Sequence, residues 1–114
     1  MTSPHAPRPF GYEVVAAKSL DEAVNDLGIE HRSRAAMWRL VEARAAAIPA
    51  VRRGLSHAHP RVRAGCCEVL DHYWDEDSIP ALLERLDDED PRVQWMAARA
   101  LECLRCKKPN WATR

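Results

Sequence analysis

The chain has 114 residues, a length that fits one domain with room for a real hydrophobic core. Its 17 Lys and Arg residues balance 17 Asp and Glu, so no net field draws it to nucleic acid or anionic lipid. No apolar run approaches the ~20 residues a membrane span needs, and no basic-then-apolar leader opens the chain. Four cysteines without a leader are therefore expected as reduced thiols in a cytoplasmic protein, with no disulfide framework.

The neutral balance hides a gradient. Residues 1–66 carry 10 basic and 6 acidic side chains, and residues 67–114 carry 7 and 11. Pro4, Pro7 and Pro9 mark residues 1–17 as an extended N-terminal tail, with Phe10 and Tyr12 expected to pin its end onto the body. Ser19-Leu20-Asp21-Glu22 has the form of a capping box and opens a first helix to about Leu27. Gly28 is then expected as its left-handed cap. An Ala-rich helix follows, about His31 to Ala46, with Ala36, Met37, Leu40 and Val41 on its apolar side. A short helix covers about Ile48 to Leu55 and stops near Gly54. Pro60, harmless in a first turn, opens a helix of about Arg61 to Trp74, with His59 as its cap. Ser78 is read as the cap of a helix at about Ile79 to Leu86. Asp90 caps the last one, opened by Pro91 and running to about Cys106. Six helices alternate short and long, no segment alternates like a strand, and residues 109–114 form a C-terminal tail.

Two triplets share one spacing. Pro60-Arg61-Val62 returns as Pro91-Arg92-Val93, and Ile48-Pro49-Ala50 returns as Ile79-Pro80-Ala81, each 31 residues on. Helical geometry tests the better copy: Val93, Met96, Ala97, Ala100, Leu101 and Leu104 fall within about 80° of their mean direction. Moved back by 31, that stripe becomes Val62, Gly65, Cys66, Val69, Leu70 and Tyr73. The repeated unit is thus a helix pair, and three units emerge at about 19–46, 47–76 and 77–107. A pair of amphipathic helices cannot bury its own stripe, so units stack, and about three are needed for stability.

The segment SIPALLERLDDEDPRVQWMAARALECL resembles a HEAT repeat of the phycobilisome-lyase-like subtype. It has a short helix ending in paired leucines, an Asp-x-Asp-Pro-x-Val turn, and a second helix with Ala at close-packing positions. The resemblance covers roughly residues 30–107. It implies an all-α, short solenoid of about three HEAT-like helix pairs over residues 18–108. It also implies a ladder between units, from the Asp before the turn to the Arg after the Val. Here Asp88 and Arg63 match the ladder positions, whereas His57 and Gln94 replace them elsewhere, so one pair, Arg63 with Asp88, is expected to survive. The functions it implies are broad: chiefly protein scaffolds, with some nucleic-acid-binding or enzymatic members.

Candidate chemistry is sparse. Cys103-x-x-Cys106 has a zinc or redox spacing, and the 31-residue register sets His72 and Asp75 beside it. A second such pair is missing, so small packing cysteines and no metal are expected. Cys66 falls in the apolar stripe, and Cys67 faces further outward. His57 and His59 read as turn residues. Four scattered glycines form no phosphate loop, and no nucleophile–base spacing recurs, so no catalysis and no cofactor are expected. Arg32, Arg34, Arg39 and Arg44 on the first long helix and Arg52, Arg53, Arg61 and Arg63 around one turn are the basic candidates. A nucleic acid would be served if Arg32, Arg39, Arg52, Arg53 and Arg63 formed one stripe clear of the acidic turn Asp75–Asp77.

Trp95 is the anomaly, since it points away from the apolar stripe of its own helix. Exposed Trp and Arg are the side chains that anchor protein interfaces. The sequence therefore predicts an adaptor that binds another protein through the face of its second helices. The expected contacts are Arg63, Cys67, Glu68, Asp71, Trp95, Arg99 and Glu102, including a Glu68–Arg99 ion pair and Arg99 stacked on Trp95. The competing reading covers Trp95 with the C-terminal tail around Trp111.

Overall fold

The computed structural model describes residues 8–73 and 75–107, with side chains to Glu102. Every regular element among them is helical: α1 (Tyr12–Ala16), α2 (Leu20–Asp26), α3 (Glu30–Ala43), α4 (Ile48–Gly54), α5 (Pro60–His72), α6 (Ile79–Arg85) and α7 (Pro91–Lys107). Short 3-10 turns at Arg44–Ala47 and Glu76–Ser78 lead into α4 and α6. The pairs α2/α3, α4/α5 and α6/α7 are the three expected units.

Local chemistry sets most boundaries. Ser19 accepts from the Glu22 amide at 3.1 Å while the Glu22 carboxylate accepts from the Ser19 amide at 3.0 Å, completing the capping box of α2. His59 Nδ1 accepts from the Arg61 amide at 3.0 Å, and Asp90 accepts from the Arg92 amide at 2.8 Å. These contacts satisfy amides at the starts of α5 and α7 that have no partner within the helix.

Several expectations are corrected. The segment Tyr12–Ala16, read as tail, is a helix, because Val15 is fully buried and Tyr12 reaches Glu42. Gly11, at φ 83°, makes the turn into it, a backbone angle that only glycine adopts without strain. Phe10 does not pin the chain, being 98% exposed. Gly28 is not left-handed; the chain leaves α2 through right-handed residues, and the turn is closed by Gly28 N–H to Asn25 O at 3.1 Å. Ser78 does not cap α6: its hydroxyl donates to the Asp75 carboxylate and accepts from Arg52 Nε at 3.2 Å. The Ala-rich helix also stops early, at Ala43, where Arg44 takes a positive φ of 56°.

The second helices of the units lie parallel. On α5 and α7, Arg63 meets Asp88 near both starts, and Asp71 meets Arg99 further along. On α3 and α5, Val62 lies against Gly28 at one end and Arg44 lies over the Tyr73 ring at the other. Between the units runs one core. Its largest fully buried members include Leu27, Leu40, Leu55, Leu70 and Leu82. Gly54 allows a close approach in it: a Cβ there would stand 2.4 Å from Cys66 Sγ and 2.7 Å from Val24 Cγ1.

The period reaches further back than Ile48. Leu20, Val51 and Leu82 occupy one position of the short helices, and Val24, Leu55 and Leu86 another. Val24 and Leu55 are buried, whereas Leu86 is 37% exposed, because no fourth unit stacks on it among the described residues.

Candidate functional site

The parallel second helices line a groove of about 1300 Å³. From α3 come Ser33, Arg34, Met37, Trp38, Val41 and Glu42. Arg61, Ala64, Gly65, Glu68 and His72 come from α5, and Pro91, Arg92, Trp95 and Met96 from α7. Trp95 is 59% exposed, and Arg99 stacks on it with its guanidinium carbon 5.4 Å from the ring centre. Such stacking holds the indole in one orientation. The α5 residues opposite Trp95 and Met96 in the repeat are Ala64 and Gly65, and these small side chains leave the floor open.

On the α3 side of the groove, Trp38 and Glu42 belong to a hydrogen-bonded cluster. Tyr12 donates its hydroxyl to Glu42, Arg8 donates to the same carboxylate at 2.9 Å, and Trp38 Nε1 lies 3.4 Å from it. The Tyr12 hydroxyl and, against the opposing pull of burial, Arg8 and Trp38 hold the Glu42 carboxyl below its ordinary value. Glu42 is thus a neutralised anion whose partners fix the Trp38 ring.

Of the seven residues expected on the recognition face, Glu68 and Trp95 line the groove, Arg99 supports Trp95, and Glu102 is exposed further along α7. The other three are corrected. Arg63, Cys67 and Asp71 are buried, forming a row at every fourth residue of α5 that faces the third unit. Arg63 makes the surviving rung of the ladder, donating from Nε and Nη2 to Asp88 at 2.8 and 3.0 Å and from Nη1 to the carbonyls of His57 and Ala58. Gln94, one period later, donates to the Asp88 carbonyl at 2.6 Å, so it keeps the carbonyl contact and loses the charge. Arg99 pairs with Asp71 at 3.5 Å in place of the expected Glu68.

Trp38, Met37, Arg61 and Arg92 line the groove and were not among the residues expected on the recognition face. The signal was present: the row Arg61, Ala64, Gly65, Glu68 on α5 repeats as Arg92, Trp95, Met96, Arg99 on α7.

The remaining candidates resolve locally. His57 sits between Asn25 Oδ1 at 3.1 Å and the His59 amide at 3.0 Å, in a turn. The side chains of Cys103 and Cys106, and the tail around Trp111, lie outside the described residues. Burial pushes the Cys66 thiol far up, and it pushes Cys67 up to about 12. The thiolate is the reactive form. Both thiols should therefore resist iodoacetamide at pH ~8 in the native protein and react once it is unfolded. Mass spectrometry finding either one labelled in the native state would contradict this packing.

Of the five arginines weighed as a phosphate-binding stripe, four are ion-paired. Arg52 pairs with Asp75 at 2.8 Å, Arg53 with Asp21 at 2.9 Å, Arg32 with Asp26 at 3.6 Å, and Arg63 with Asp88. Among the described residues no helix is long and apolar enough to cross a membrane.

Three stacked helix pairs with a period of 31 residues, parallel second helices and an Arg–Asp rung between units define an α-solenoid of the HEAT kind. The family model for HEAT repeats matches residues 16–102, and the chain belongs to that family. No curated protein and no solved structure matches it.

Proposed function

We propose that this protein is a small adaptor that binds another protein in the groove of its second helices, by recognition without catalysis and without a cofactor. HEAT repeats are commonly protein-interaction modules, and the turn from Asp88 to Val93 supports the phycobilisome-lyase-like subtype. The observation that carries the reading is Trp95. It is a large aromatic held by Arg99 at the edge of an apolar groove, exposed where folding does not require it. Binding energy at protein interfaces concentrates in such anchors. A nucleic-acid ligand is the weaker alternative, because the arginines outside the groove are largely matched by carboxylates. A cytoplasmic setting accords with the free thiols of Cys66 and Cys67.

The test compares wild type with Trp95→Ala as baits in the native cell extract, with and without nuclease. The expected result is a protein captured by wild type, indifferent to nuclease, and lost with Trp95→Ala at a cost of about 2 kcal/mol or more in affinity. Helicity and melting temperature should be almost unchanged. A Trp95→Ala variant that melts much lower and still binds would move the interface elsewhere.

A further inference from the structure

The groove carries a charge pattern that narrows what it holds. Because α3, α5 and α7 run parallel, their N-terminal halves form one edge. Arg34, Arg61 and Arg92 line that edge. Arg61 and Arg92 are the same position one period apart, directly after the helix-opening prolines. Backbone amides at helix starts add partial positive charge to the same side. The side chains of Arg34 and Arg61 make no hydrogen bond or ion pair with a described residue, while Arg92 leans on Asp90 at 3.4 Å. Against these stand two carboxylates, Glu42 and Glu68, and Glu42 is already matched by Arg8. The unmatched charge of the groove is therefore positive, although the whole chain is neutral.

The middle of the groove is apolar: Met37, Trp38, Val41, Trp95 and Met96. Methionine accommodates varied apolar shapes, and the two indoles supply large rigid contacts. Its volume of about 1300 Å³ exceeds the pockets typical of small ligands. A helix 10–12 Å across would fill it with roughly nine residues.

From this we infer that the occupant is an acidic, amphipathic segment of a partner protein. Its carboxylates run along the Arg34–Arg61–Arg92 edge, and its apolar side chains sit between Trp38 and Trp95. The inference rests on the proposed adaptor role and adds the chemistry of the partner. A single-stranded nucleic acid would also use arginine and tryptophan, but it needs a basic track along the whole groove. Glu68 interrupts such a track on α5, at the centre of the three helices.

Selection from random sequence tests this chemistry directly. A displayed library of random peptides about 12 residues long, enough for roughly three helical turns, is selected against the full chain. Enriched peptides should carry about two or more net negative charges and a pair of large apolar residues three or four apart. Labelled copies should lose about tenfold or more in affinity to Arg61→Glu, and likewise to Arg34→Glu and to Trp95→Ala. Neither arginine side chain has a structural partner among the described residues, so helicity and melting serve as controls that should not move. Neutral or basic peptides that still depend on Trp95 would overturn the acidic assignment and leave the adaptor role standing. A library that yields nothing, or peptides indifferent to both Trp95→Ala and Trp38→Ala, would overturn both. Labelled oligothymidylate that binds wild type and fails with Arg61→Glu would replace the acidic segment with a nucleic acid.

Discussion

Val62→Asp unfolds the chain. Val62 is 1% exposed and stands where two units meet, its Cγ2 3.0 Å from the Cβ that any larger residue at Gly28 would bear and its Cγ1 3.8 Å from that of Gly54. A carboxylate there would be desolvated between α2, α4 and α5. Burying an unpaired charge and losing the valine contacts together cost about 4–5 kcal/mol or more. That approaches the whole stability of a domain this size, about 5–15 kcal/mol. Because each unit leans only on its neighbours, a break at this junction leaves neither side a complete core. Circular dichroism should find the helical signal largely lost at 25 °C, whereas Phe10→Asp, on a fully exposed side chain, should melt like wild type. Leu101→Asp should do less harm than Val62→Asp, since Leu101 is only half-buried. A Val62→Asp variant with native helicity would mean that α5 is rotated about its axis, with Val62 turned toward solvent.

The fold was legible because its signals are local and repeat. Prolines at 49, 60, 80 and 91 mark four helix starts, and one copy of the apolar stripe could be checked against another. The recognition face was half legible, and the failure has a geometric cause. A helical wheel divides a helix into an apolar and a polar side, but a second helix in a solenoid has three kinds of neighbour. It packs on its own short helix, abuts the unit before and the unit after, and turns its remaining face to the groove. On α5 the polar row Arg63, Cys67, Asp71 faces the next unit, and Arg61, Ala64, Glu68 face the groove. On α7 the rows are the same, yet Gln94, Ala98 and Glu102 are exposed because no described unit follows. Trp95 was found because it is large and on the polar side. Trp38 was not, because the proline that would fix the register of α3 is missing, and its role depends on Tyr12, Arg8 and Glu42, of which the first two come from outside the repeat.

Removing the Asp88 carboxylate should be nearly as damaging as charging the core. Asp88 is buried and accepts from Arg63 twice, from Arg85 at 3.0 Å and from the Asp90 amide at 2.9 Å. Asp88→Ala would leave the Arg63 guanidinium buried with only two carbonyls and a distant Glu89 at 4.0 Å. Breaking a buried pair from one side costs about 3–5 kcal/mol, much of it the stranded charge. Arg63→Met should cost less, because Arg85 still faces the carboxylate. The double variant should cost less than the two single changes added together. Acid gives an independent check. Burial alone would raise the Asp88 carboxyl, but Arg63, the Asp90 amide and Arg85 outweigh it and hold it below the ordinary value. A carboxyl depressed in the folded state contributes its stability above the unfolded value, about pH 4, and loses it as pH falls through the folded value. The difference in melting temperature between wild type and Asp88→Asn should thus be widest near neutrality and shrink below about pH 4. A difference that stays constant into acid would show that Asp88 supports the joint between units by shape and hydrogen bonding, with its charge irrelevant.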